Sequence, residues 1–134
     1  MKVVYVVAAA LYDLKGNILL AQRPEGKAMA GLWEFPGGKI EQNERPEQAL
    51  ARELQEELAI TVTESDLFPL TFASHTYDSF HLFMPLFGLK RWGGSPIPQE
   101  GQKLAWVPPK ELHTYPAPAA DLPLFDALAC WDEA

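Results

Sequence analysis

The chain opens on nine apolar residues in a row, Val3 to Leu11, most of them valine or alanine. An apolar run without polar alternation suits a strand covered on both faces. Lys15-Gly16-Asn17 follows as a turn signal, and Ile18 to Gln22 resumes the apolar pattern, which predicts a hairpin. Pro24 to Gly31 is polar and reads as a flexible loop. Trp33-Glu34-Phe35 is a short extended piece that Pro36-Gly37-Gly38 stops. Pro46 to Leu58 is the clearest helix, with proline at the first position, where its missing N–H costs nothing. Thr61 to Glu64 fits a short strand or a turn. Leu67 to Tyr77 and Phe80 to Leu89 predict two strands joined at Asp78-Ser79. Trp92 to Pro96 reads as a loop and Lys103 to Val107 as a strand. Pro108-Pro109 opens a helical turn through His113, Pro116 and Pro118 break the chain, and Leu122 to Trp131 predicts a closing helix. Strands predominate beside two substantial helices, with no internal repeat, so the fold class is α+β, arranged as a sandwich.

Composition narrows the partners. The sequence has 134 residues, 48% of them apolar, enough for one domain, 1–134, that buries about two-thirds of its unfolded surface. Eleven basic residues against eighteen acidic ones leave a net charge of −7. That charge argues against an electrostatic grip on DNA or RNA, but not against a nucleotide held through a cation. One cysteine, Cys130, excludes an intrachain disulfide and suits a reducing compartment such as the cytoplasm. It reads as a small buried hydrophobe. The opening apolar run is far shorter than the roughly 20 residues of a spanning helix. Lys2 ahead of it resembles the start of a secretory leader, yet its valines and the turn behind it favour a strand. The expectation is a cytoplasmic monomer or weak dimer that engages no membrane.

The chemistry concentrates on the Pro46 to Leu58 helix. At 100° per residue from Ala49, Leu50, Leu54 and Leu58 fall at about 100°, 140° and 180°, one apolar stripe. Glu53, Glu56 and Glu57 fall at about 40°, 340° and 80°, beside that stripe, with Arg52 at about 300°. Glu47 lands within the apolar sector, but in the first turn, where acid suits the helix dipole. Glutamates three and four apart repel. A solvated acidic face is the ordinary explanation. Against it, the helix has no lysine to neutralise the cluster, and carboxylates bordering a buried stripe must either protonate or bind a cation. Oxygen-rich clusters favour Mg²⁺, Mn²⁺ or Ca²⁺. The Asp-rich loop of an EF-hand Ca²⁺ site is absent.

Gly38, five residues, Glu44, seven residues, then Arg52-Glu53-Leu54-Gln55-Glu56-Glu57-Leu58-Ala59-Ile60 resembles the 23-residue signature of Nudix hydrolases. The match fails at one position, where Ala59 replaces the glycine that would ease the exit from the helix. Trp33-Glu34-Phe35-Pro36-Gly37-Gly38-Lys39-Ile40-Glu41, the downstream Glu100-Gly101-Gln102 with Trp106, and the Pro116 to Pro123 stretch are similar to the MutT-like branch. The resemblance implies an α/β/α sandwich around a mixed β-sheet. It also implies a Mg²⁺-dependent enzyme, with Mn²⁺ able to substitute, that hydrolyses 8-oxo-dGTP to 8-oxo-dGMP and pyrophosphate in nucleotide-pool sanitation. Other substrates within the family are CTP, methylated dCTP or a dinucleoside polyphosphate. A non-catalytic Nudix module that binds nucleotide is the alternative of another class, although the full glutamate set argues against it.

Position by position, the resemblance makes Glu53, Glu56, Glu57 and the Gly37 carbonyl metal ligands, with Glu100 a distal ligand or base. Glu53 and Glu100 both fit the general base. Arg52 holds Glu44 in place, as an orienting pair. Arg23 and Lys39 are expected at phosphate, and Glu34, Phe35 and Asp121 on the substrate. For Asp121 the competing role is a cap on the last helix, for Phe35 core packing, and for Arg23 an exposed loop position. His75, His81 and His113 lack metal-ligand spacing and read as strand or loop residues. Trp92, Trp106 and Trp131 read as core or edge anchors.

Overall fold

The computed structural model describes residues 1–133, and side chains as far as residue 130. Trp131 therefore lies outside the described side chains. Seven strands, β1 (Lys2–Leu11), β2 (Ile18–Gln22), β3 (Trp33–Glu34), β4 (Gly37–Lys39), β5 (Phe68–Thr76), β6 (Phe80–Leu89) and β7 (Lys103–Val107), accompany two helices, α1 (Pro46–Leu58) and α2 (Leu122–Glu133). One sheet has the order β4-β1-β6-β5 and the other β3-β2-β7. β1 and β6 run parallel, Tyr5 beside Phe83 and Leu11 beside Leu89. β4 and β5 are antiparallel to their neighbours, so the first sheet is mixed.

Side-chain alternation along β1 builds two cores. Val7, Ala9 and Leu11 pack with Ala49, Leu50, Leu54 and Leu58 of α1. Ala8 and Ala10 point the other way, to Leu124, Phe125 and Leu128 of α2. Strands alternate faces residue by residue, so a strand between two helical layers must be apolar throughout. That accounts for the run from Val7 to Leu11. Covering on both faces does not reach the start of β1, where Val3 and Tyr5 are exposed and lie outside the cluster that Val7, Ala9 and Leu11 form with α1. No described helix is long and apolar enough to cross a membrane.

Several expectations shift. β1 and β2 form no hairpin ladder. The Asp13 carboxylate accepts from the Lys15, Asn17 and Asn17 Nδ2 N–H groups and closes the turn. Past one bridge, Tyr12 to Ile18, the strands part into different sheets. β3 ends at Glu34 as expected, and Gly37 and Gly38 then open β4 in the other sheet, against Ala8 and Val7. A Cβ on Gly37 would strike the Val7 carbonyl, so the close strand contact requires glycine. Thr61 makes only an isolated bridge to Gly93, ahead of a 3-10 turn at Glu64–Asp66. α2 runs two residues beyond Trp131. Cys130 is exposed, not buried. His81 sits between the Ser74 and Thr76 hydroxyls, and Trp92 stacks on Trp106 with centroids 6.2 Å apart, as strand and edge residues.

α1 occupies the expected span. It ends on Ala59 in the left-handed region (φ 57°, ψ 34°), whose N–H donates to the Gln55 carbonyl. The geometry a glycine would supply is thus kept by alanine, at a steric cost of about 1 kcal/mol. Ala59→Gly should therefore stabilise the protein by about 1 kcal/mol. Urea unfolding measures this, and a loss of stability would show that Ala59 contributes more than its backbone.

Candidate active site

Arg52 organises the acidic face of α1. Its Nε and Nη2 donate to the two Glu44 carboxylate oxygens at 2.8 and 2.9 Å, a two-point pair of the stronger, charge-assisted kind. Nη1 donates to Glu53 at 2.9 Å and Glu56 at 3.5 Å, and Nη2 also donates to the Lys39 carbonyl at 3.1 Å. Glu44 further accepts the Glu41 N–H at 2.9 Å. These bonds, led by that to Arg52, hold the Glu44 carboxyl down at about 2. The guanidinium is pushed well above its ordinary value, chiefly by Glu44.

Gly38 lies against the same cluster. A Cβ there would collide with the Glu53 carboxylate, so the second glycine clears space for that group. Burial pushes the Glu53 carboxyl up, against the pull of Arg52. Glu57, on the inner side of the arc, is half-buried. Burial first, then the neighbouring Glu53 and Glu100 charges, push its carboxyl up to about 8, with the Gly37 N–H offsetting part of the rise. Glu100 reaches this group from a distant segment. The Ile97 and Gln99 N–H groups donate to the Leu58 and Glu57 carbonyls at the end of α1, both at 2.9 Å.

A cleft of about 220 Å³ joins these elements, lined by Arg23, Lys27, Glu34, Gly37, Gly38, Glu57, Glu100 and Gln102 among others. An adjoining recess extends it past Arg23 to Lys103. Arg23 donates to Glu34 at 3.2 Å and to the Ala28 carbonyl at 3.4 Å, so it is a tethered residue of the cleft wall. Burial pushes Glu34 up while Arg23 pulls it back. Asp121 is buried (5% exposed) in a 3-10 turn at Ala119–Asp121. The bond it accepts comes from the Phe35 N–H at 3.5 Å, which ties it to the cleft side of the core. Burial and the Glu34 charge push its carboxyl up to about 7.

Phe35 packs in the core. Its ring is 4% exposed and meets Phe125 edge-on at 5.3 Å, because the residue after β3 turns inward between the layers. Lys39 is exposed, with its carbonyl engaged by Arg52. Lys27, Lys103 and Gln102 line the cleft or its recess without a signal in local pattern. Only the Glu-Gly-Gln context marked Gln102. A larger hollow of about 490 Å³, lined by Tyr12, Asp13, Phe68, Lys90 and Leu128 among others, shares none of these residues. There Asp13 is engaged in its turn and the Lys90 ammonium lies 5.7 Å from the Phe68 ring centre.

The donor set suits a hard divalent cation. Among the described residues no three carboxylate, imidazole or thiol groups meet closely enough to grip one as they stand, since Glu53 and Glu56 turn toward Arg52. Their helical spacing nevertheless puts the Cβ atoms of Glu53 and of Glu56 or Glu57 about 5–6 Å apart. That spacing is one that side-chain rotation could close around an ion. The cradle that Gly38 leaves at Glu53, and the like charges crowding Glu57, fit a cation better than they fit solvent.

The chain matches the NUDIX domain family over residues 7–127 and belongs to it. It is a Nudix hydrolase, and members of that family generally need a divalent metal. It is 42% identical over 129 residues to the "CTP pyrophosphohydrolase" of Escherichia coli K12, covering 95% of this chain and 92% of that one. It is 44% identical over 91 residues to the "8-oxo-dGTP diphosphatase" of Proteus vulgaris, covering 68% and 80%. The solution structure of the E. coli ORF135 protein superposes with a TM-score of 0.85 at 38% identity, covering 98% of this chain and 92% of that one.

Glu57 and Asp121 give stability a direction with pH. Both bind a proton more tightly folded than unfolded, where their ordinary values are 4.5 and 3.8. Their contribution is complete below those values and is lost as pH rises through about 7 and 8. Glu44, held low, stays ionised throughout and adds no slope. In EDTA, Tm should fall between about pH 5 and pH 8.5. Glu57→Gln should flatten the upper part of the fall. A Tm that rises over this range would contradict the crowding of these carboxyls.

Proposed function

We propose that the chain hydrolyses 8-oxo-dGTP to 8-oxo-dGMP and pyrophosphate with Mg²⁺, by water attack at the β-phosphorus, and so keeps an oxidised nucleotide out of DNA. The observation that carries the reading is the meeting of two opposite sets of groups in one cleft. Glu57 and Glu100 line it, with the Glu53 charge acting on Glu57, and so do Arg23 and Lys27, while Lys103 lines the adjoining recess.

Glu53, Glu56, Glu57, Glu100 and the Gly37 carbonyl would hold the ion. When bound, it would offset phosphate charge, lower the pKa of the attacking water and steady the charge on the departing 8-oxo-dGMP. Arg23 and Lys27, with Lys39 nearby, orient the polyphosphate. Arg52, anchored on Glu44, holds the Glu53 and Glu56 carboxylates toward itself, and these would rotate from it to reach the ion. Either Glu53 or Glu100 takes the proton of the attacking water, and in each case the carboxylate must be ionised and within hydrogen-bond reach.

Asp121 supports an oxidised purine. An 8-oxopurine presents an N7–H where guanine presents a bare acceptor. An ionised Asp121 accepts from that hydrogen, and a protonated one donates to a neighbouring carbonyl. With its carboxyl near 7, both forms exist at neutral pH. The long identity to a CTP pyrophosphohydrolase favours a cytidine triphosphate as a second reading.

Glu53→Gln should lower kcat by at least about 100-fold, read by pyrophosphate release after folding is checked. Near-normal turnover would remove Glu53 from the reaction. Across nucleotides with Mg²⁺, 8-oxo-dGTP should give the highest kcat/KM. If dCTP outruns it by about tenfold, a discrimination of about 1.4 kcal/mol, the cytidine reading replaces the first. No Mg²⁺-dependent release from any nucleotide would leave a binding module.

A further inference from the structure

The segment that brings Glu100 to the cleft is thinly held. Ile97 and Gln99 are fastened to the end of α1 by their N–H groups, and Lys103 is paired with Gln22 in the β7–β2 ladder. Between them Glu100 and Gly101 are exposed, and Gly101 has a left-handed φ of 77°. No described hydrogen bond engages the Glu100 carboxylate. The Gln102 side chain spans this gap. Its Oε1 accepts the Glu100 N–H at 2.8 Å, and its Nε2 donates to the Glu57 carbonyl at 3.2 Å. The same carbonyl accepts the Gln99 N–H, so both of its lone pairs are used.

We propose that Gln102 is a positioning residue, whose amide fastens the Glu100 backbone to the main chain of Glu57 and so fixes the spacing between the two carboxylates. The inference rests on the reading of Glu100 as a ligand or base. Glutamine suits the position because the strut needs an acceptor at one end and a donor at the other, on a side chain long enough to reach both. A carboxylate cannot donate to a carbonyl, and an ammonium cannot accept from an N–H. The spacing is then set by hydrogen bonds between Gln102 and two main-chain groups. A loop hanging by Gly101 would leave Glu100 to sample many positions, and small misplacements of a reacting group are costly in rate.

The test combines Gln102→Met, which keeps the bulk and removes both bonds, with Glu100→Gln and the double variant. Gln102→Met should speed hydrogen exchange at the Glu100 amide, lower kcat about tenfold and leave KM within about twofold. In the Glu100→Gln background it should lower kcat no further. Unchanged Glu100 exchange in Gln102→Met overturns the strut while leaving the role of Glu100 intact. So does a double variant whose losses multiply. Full turnover in Glu100→Gln overturns the role of Glu100, and the positioning role falls with it. Should Gln102→Met unfold, Gln102→Glu, which keeps the acceptor but not the donor, must show the same split between kcat and KM.

Discussion

The acidic cleft depends on one guanidinium. Arg52 draws Glu44 into a two-point pair and reaches Glu53, Glu56 and the Lys39 carbonyl from the same planar fork. A lysine would offer a point charge and could not span this set of acceptors in fixed directions. The pair with Glu44 also ties α1 to the loop before it. The glutamates of the helix are therefore registered against Gly38 and β4, against which the Glu53 carboxylate is seated.

Two architectural facts carry that local arrangement into a site. β1 feeds side chains alternately to α1 and α2, so the helix bearing the glutamates is packed on a strand that is itself clamped from behind. The 97–102 segment then closes over the end of α1, satisfying carbonyls that a helix leaves open. The capped carbonyls are those of Leu58 and of Glu57, the same residue whose carboxyl is crowded in the cleft. Glu57 pays for its place with a carboxyl that resists ionisation, which a divalent cation would relieve.

Periodicity and spacing were sufficient for the elements whose cause is local. The span of α1, the leucine stripe, the arc of three glutamates and the β5–β6 pairing all follow from which residues are apolar and how far apart they stand. The left-handed end at Ala59 was foreshadowed by the position of the missing glycine, although alanine left the conformation unspecified. The turn at Asp13 was also legible, yet the hairpin inferred from it was not formed, since a turn sets chain reversal and not which sheet the next strand joins.

The chain alone determined that a helix would carry a crowded set of carboxylates beside an apolar stripe, with an arginine at its edge. That is a consequence of helical geometry acting over thirteen residues. Only the tertiary structure decided that Gly38 clears space for Glu53, that Phe35 turns into the core, that Asp121 bonds to Phe35, and that Gln102 ties Glu100 to Glu57. Each of these joins residues from different elements. Their contacts arise from how layers pack and where loops return, and no local repeat or spacing encodes such distances.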